Sequence, residues 1–332
     1  MDFCYVITVN CIIDCINCVT FFCSSLNNFV SNQIKTTKLL KYKNMKTATN
    51  GYDLTIEVNN FNLSYDDVGE GRIPIIFLHG FPFDKTMWAD QLDYLKSSYR
   101  LIACDIRGFG KSTDEETPLN ISLFADDLIE FMNRLDIDKA VICGLSMGGF
   151  ITLNAVKRYP ERFEALILCD TQCIADTPEV KDKRLNTIIE IENNGAADFN
   201  EGFIKSVFHK DSLINKKQLV DDLRKVVFAN SNRIIMQGLL ALAVRTETCS
   251  TLNKINIPTL IICGREDAVT PLEKSEYLKQ HIEGAKLEVI DNAGHVSNLE
   301  QPDKFNECLS EFLMNLSDDH AENWLENQRS FR

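Results

Sequence analysis

In the stretch VICGLSMGGF, residues 141–150, one serine, Ser146, stands among glycines at 144, 148 and 149. Glycine weakens helices and strands alike, so three of them around one hydroxyl need a geometric reason. AVIC ahead of the serine reads as a strand and MGGFITLNAVKR after it as a helix. That leaves Gly144-Leu145-Ser146-Met147-Gly148 as a sharp strand-to-helix turn holding the serine in a strained, exposed conformation. Two residues before and two after, a side chain would strike the strand or the helix, so Gly144 and Gly148 are there for clearance. The hydroxyl also stands at a helix amino end, where the macrodipole and the Met147 N–H favour a developing negative charge. This is the setting of a serine nucleophile.

Such a hydroxyl is a weak nucleophile until a base takes its proton and an acid orients that base. There are five histidines. His79 precedes Gly80 at a strand end, His209 and His281 lie in polar helical surroundings, and His320 is near the C-terminus. His295, in DNAGHVSNLEQP, follows the last predicted strand in a glycine-containing loop, where an imidazole can lean over the strand ends; it is the expected base. Asp267, in GREDAVTP just past the penultimate strand, is the expected acid. Asp170, closing EALILCD, is the alternative acid because its strand end faces the same crevice, although a tether for the following segment suits it better. The loop FLHGFPFDKTMW is expected to give the Phe81 N–H as a second oxyanion donor beside that of Met147, with His79 and Gly80 shaping the loop. Neither a metal nor a cofactor is expected, since histidines and cysteines show no ligand spacing in this part of the chain.

These side chains require a frame. LTIEV and FNLSY read as an antiparallel pair, and IPIIFLHG, YRLIACD, AVICG, EALILCD, PTLIICG and KLEVID as six further short strands. Apolar runs without alternation suit strands buried on both faces. Helices are predicted over Lys85–Lys96, Ile121–Leu135, Ser146–Arg158, Leu272–His281 and Pro302–Leu316. Alternating strand and helix implies a doubly wound α/β sheet with ligands at the carboxyl ends of its strands. Residues 171–253 interrupt the rhythm with helical patterning and no strand, and are too long for an ordinary loop. They read as a helical cap, with a core of 45–170 and 254–316 and a polar, frayed tail over 317–332.

Taken together, FLHGFPFDKTMW, DIRGFGKS, CGLSMGGF, GREDAVTP and NAGHVSNLEQP resemble the α/β-hydrolase superfamily, most of all its small bacterial 3-oxoadipate enol-lactonases and related carboxylesterases. The resemblance spans about residues 52–316. It implies an α/β-hydrolase fold: a mostly parallel eight-stranded sheet flanked by helices, with a helical cap insertion. It also implies Ser146 as nucleophile, His295 as base, Asp267 as acid, and Phe81 and Met147 as oxyanion donors. A serine, not an aspartate, at the turn excludes dehalogenase and epoxide-hydrolase chemistry.

The expected activity is hydrolysis of a small-molecule ester or lactone through an acyl-enzyme. The alternatives are a ligand sensor with slow turnover on the same fold, and acyl transfer to a thiol or peroxide. Cap stretches FNEGFIKSVFH, VVFAN and IIMQGLLALAV suit a short or medium apolar acyl group. Lys205, His209, Arg224, Arg233 and Arg245 are interleaved with them; ordinary surface placement is the expected setting of the arginines, and the alternative is one turned inward that would pair with a substrate carboxylate.

Composition agrees with a globular domain, and a net charge of −13 argues against nucleic acid as a partner. Residues 1–44 differ from the rest, with Cys4, Cys11, Cys15, Cys18 and Cys23 and no arginine. Asp2, Asn10, Asp14 and Asn17 break the apolar run and argue against a signal peptide or a membrane span. CIIDCINC has the C-x3-C-x2-C spacing of the iron–sulfur motif in radical enzymes, but the chain downstream of it resembles a different fold. The segment is read as a disordered extension or a mis-set start ahead of Met45. Of twelve cysteines, the seven outside it are scattered, which reads as reduced, buried, cytoplasmic usage and not as a disulfide framework.

Overall fold

The computed structural model describes residues 51–330, with side chains through residue 316. The readings made for residues 1–44 and the Met45 start lie outside the described residues. Eight strands form one sheet: β1 (Gly51–Val58), β2 (Phe61–Val68), β3 (Ile75–Leu78), β4 (Leu101–Cys104), β5 (Ala140–Leu145), β6 (Phe163–Cys169), β7 (Thr259–Gly264) and β8 (Lys286–Ile290). Their order is β1-β2-β4-β3-β5-β6-β7-β8. β2 pairs antiparallel with both neighbours, and every other pairing is parallel.

The central strands divide their side chains between two cores. Ile76, Leu78, Ile142, Leu166 and Ile261 enter the core on one face, while Ile75, Phe77, Val141, Leu260 and Ile262 enter the other. A period of two with both faces buried is what turns such strands into unbroken apolar runs. Helices α1 (Ala89–Leu95), α2 (Ile121–Arg134), α3 (Met147–Arg158) and α9 (Leu272–His281) flank the sheet, followed by a short turn α10 (Ser297–Glu300) and α11 (Pro302–Ser330). Asn120 starts α2 by accepting the Leu123 N–H at 2.9 Å. The predicted helix from Lys85 begins instead as a 3-10 turn, Lys85–Trp88. α11 passes the predicted end at Leu316 and reaches Ser330, so the tail expected to fray is helical backbone; residues 317–330 contain neither Gly nor Pro to stop it.

Between β6 and β7 the chain forms five helices: α4 (Pro178–Asn194), α5 (Ala197–Val207), α6 (Lys210–Asn215), α7 (Lys217–Ala229) and α8 (Asn232–Ala243). They pack onto the loop after β3, where Phe199 and Phe203 of α5 meet the Phe81 ring at 6.3 and 6.1 Å and the Asn230 side-chain amide donates to the Pro82 carbonyl at 2.8 Å. Among the described residues no single helix is long and apolar enough to cross a membrane.

One cysteine reading is corrected. Cys104, Cys143, Cys169, Cys263 and Cys308 are free and buried, but Cys173 and Cys249 form a disulfide across 76 residues. Cys173 follows β6, Cys249 opens the turn that leads to β7, and the Thr248 N–H donates to the Cys173 carbonyl at 2.9 Å. Both ends of the insertion must return to neighbouring strands, and only that topology brings these two thiols together.

Candidate active site

β5 ends at Leu145 and α3 begins at Met147, which leaves Ser146 alone in the turn at φ 52, ψ −110. A non-glycine residue there is strained and must be held by its surroundings. Three hydrogen bonds hold it. The Ser146 N–H donates to the Cys169 carbonyl at 2.9 Å, and the Ser146 carbonyl accepts the Phe150 N–H at 3.1 Å and the Thr171 hydroxyl at 2.8 Å. The glycines make room for this geometry. A Cβ on Gly144 would lie 2.4 Å from the Gly148 carbonyl oxygen, and one on Gly148 would lie 2.3 Å from that of Leu78 in β3. A Cβ on Gly149 would lie 2.3 Å from the Thr171 hydroxyl that grips the serine carbonyl.

The loops after β7 and β8 bring Asp267 and His295 to this turn. His295 Nε2 is 2.8 Å from the Ser146 hydroxyl, and its Nδ1 is 2.8 Å from Asp267 Oδ2. With the proton on Nδ1 facing the carboxylate, Nε2 is free to accept from the hydroxyl. Asp267 is fixed in turn: its Oδ1 accepts the Val269 and Thr270 N–H groups at 2.7 and 2.9 Å, and its Oδ2 accepts the Thr270 hydroxyl at 2.7 Å. Thr270 was not signalled by the sequence, since a threonine three residues after an aspartate is ordinary. Burial alone would depress the His295 imidazolium, but the Asp267 charge, aided by Asp170 and Glu300, outweighs it and raises the pKa above 6.5. Burial likewise disfavours the Asp267 carboxylate, yet its imidazole and Thr270 partners hold its pKa below the usual value.

Asp170 has a different set of partners. It sits at φ 45, fully buried, accepting the Gly264 N–H at 2.7 Å and the Ser297 hydroxyl at 2.5 Å. It therefore ties the end of β6 to the end of β7 and to α10. Burial, and then the nearby Asp267 charge, push its pKa up to about 8. Asp170, Cys263 and Asp267 place one donor atom each within 4.8 Å of one another, but both aspartates already spend their oxygens on the hydrogen bonds above.

On the other side of Ser146 lies the loop after β3. His79 Nε2 accepts the Ile106 N–H at 2.9 Å, so its Nδ1–H donates to the Gly80 carbonyl at 2.8 Å. Burial holds the ring neutral by lowering its pKa, which leaves it a brace for the loop. A Cβ on Gly80 would come within 3.3 Å of Ser146 Cβ, so the backbone of this loop passes close to the turn. Next to it, the Phe81 ring packs edge-on against Phe109 at 5.9 Å.

No cap arginine reaches toward the serine with a free guanidinium. Arg245 is the buried one, but Asp176 already holds it at 2.7 Å and the Leu242 carbonyl accepts from it at 2.8 Å. Arg233 pairs with Asp114 at 2.7 Å, Arg224 with Glu201 at 3.0 Å, and Lys205 is exposed. His209 is buried beside the His295 loop. The alternative of an inward arginine awaiting a carboxylate is not met, and sequence alone could not show that Asp176 and Asp114 would be the partners.

A buried serine–histidine–aspartate chain at the carboxyl ends of a mostly parallel sheet, beneath an inserted set of helices, defines a class. The chain belongs to the α/β-hydrolase fold family, whose sequence profile matches residues 73–302. It is 31% identical over 282 residues to 3-oxoadipate enol-lactonase 1 of Acinetobacter baylyi, covering 82% of this chain and 97% of that one. Among solved structures, a thermophilic esterase from Thermogutta terrifontis matches with a TM-score of 0.76 at 30% identity, covering 79% of this chain and 98% of that one. The enol-lactonase from Burkholderia xenovorans matches with a TM-score of 0.73 at 26% identity, covering 79% and 100%.

Proposed function

We propose that the chain is a serine hydrolase that cleaves small carboxylic esters or lactones through an acyl-enzyme. The observation carrying this reading is the unbroken line from the Ser146 hydroxyl to His295 to Asp267, with both links at 2.8 Å. Ser146 Oγ attacks the substrate carbonyl as His295 Nε2 takes its proton. The Phe81 and Met147 N–H groups stabilise the tetrahedral oxygen, and one such donor is worth about 2.7–4 kcal/mol of barrier in a serine hydrolase. His295 then gives its proton to the leaving oxygen, which departs as an alcohol or, in a lactone, stays tethered to the acyl group. Water repeats the sequence on the acyl-enzyme, releasing the acid and restoring Ser146.

The test is steady hydrolysis of p-nitrophenyl acetate after any initial burst, followed by a panel of esters, lactones and thioesters. With Phe81, Phe199, Phe203 and Phe109 grouped beside the turn, short and medium apolar acyl groups are expected to be preferred. Release of one equivalent and then a stall would indicate a sensor, and transfer to an added thiol or peroxide would indicate an acyltransferase.

The pH profile gives a second check. The base works only when neutral and its pKa is raised, so kcat/KM is expected to fall as pH drops, with a midpoint above the ordinary value of about 6.5. A profile flat between pH 5 and 8 would remove His295 from the role of base.

A further inference from the structure

Glu300 is fully buried in α10, and the mechanism above does not use it. Its Oε2 accepts the Gly294 N–H at 2.6 Å, one residue before His295. Its Oε1 accepts the His209 N–H at 2.8 Å, at the start of α6 in the cap. The Lys216 ammonium donates to the Glu300 carbonyl. Beside this bridge the His295 N–H donates to the Val207 carbonyl at 2.8 Å. There is no slack in the contact: a Cβ on Gly294 would lie 2.7 Å from the Val207 carbonyl oxygen and 2.9 Å from the His209 nitrogen.

We propose that Glu300 is a positioning residue: one carboxylate bolts the loop carrying His295 to the base of cap helix α6, so that core and cap together set the imidazole over Ser146. This rests on the serine-hydrolase reading. Two N–H donors on one buried carboxylate are charge-assisted bonds, and cutting either frees a loop in which a small displacement is costly to catalysis.

Proline at position 209 cuts the bridge from the cap side. His209 has φ −60 and follows Phe208 in extended backbone, both compatible with proline, so His209→Pro keeps the chain's course but puts a ring carbon where the N–H met Glu300 Oε1, which breaks the bridge by loss of the donor and by displacing the carboxylate. His209→Ala removes the ring and keeps the N–H. Rates are normalised to the serine titrated by a fluorophosphonate. The expected result is a kcat for His209→Pro about tenfold below that of His209→Ala, with KM within about twofold. Glu300→Gln, which leaves one N–H facing an amide NH2, is expected to lower kcat per titrated site similarly. It should also move the acid limb to lower pH, because of the acidic groups facing His295 it removes Glu300 and leaves Asp267 and Asp170. Equal kcat in the two position-209 variants overturns the proposal, as does an unmoved acid limb in Glu300→Gln. If Ser146 takes no label in the wild type, the hydrolase reading fails and the proposal falls with it; if it labels and the variants keep their kcat, only the proposal fails.

Discussion

Ser146→Ala is expected to lower ester hydrolysis by at least about 10⁴-fold, the scale on which removing the nucleophile of such a unit acts. The protein should remain folded. Serine and alanine bear the same backbone strain at φ 52, and the hydrogen bonds from Ser146 to Cys169, Phe150 and Thr171 are made by its main chain. Only the link to His295 Nε2 is lost. The checks are initial rates on p-nitrophenyl acetate and a thermal melt. Activity above a hundredth of wild type in a folded variant would remove Ser146 from the role of nucleophile.

Asp267→Asn should cost about 10³–10⁴-fold in kcat. Its amide would donate to His295 Nδ1, driving the ring proton to Nε2, where it can no longer accept from the serine. Asp170→Asn should cost less than about tenfold. An asparagine there can still accept the Gly264 N–H, and the Ser297 hydroxyl, which donates to Asp170 Oδ2, can turn to accept from the new NH2. Kinetics of the two variants at one pH decide the matter, and the reverse ranking would transfer the acid's role to the end of β6.

The parts of the site that were legible in the sequence are those with a local cause. The glycine spacing around Ser146 answers a backbone collision within a few residues, and His295 and Asp267 stand directly past strands that announce themselves as apolar runs. The strands were equally legible because burial on both faces leaves no polar positions. What stayed hidden depends on proximity across the fold. Thr171 on the serine carbonyl, Thr270 on Asp267, Ser297 on Asp170 and Glu300 on the cap are common residue types in common contexts, and only the assembled sheet gives each a partner. The pairing of Arg245 stayed hidden for the same reason, since its partner Asp176 lies far from it in the chain.

The link between Cys173 and Cys249 also changes what kind of moving part the cap can be. With both feet fastened together, residues 174–248 form a closed ring standing on the sheet. A ring can tilt on its base or breathe between its helices, but it cannot swing away by unzipping from one end. A protease that cut once within the ring would therefore leave the two pieces of chain covalently joined.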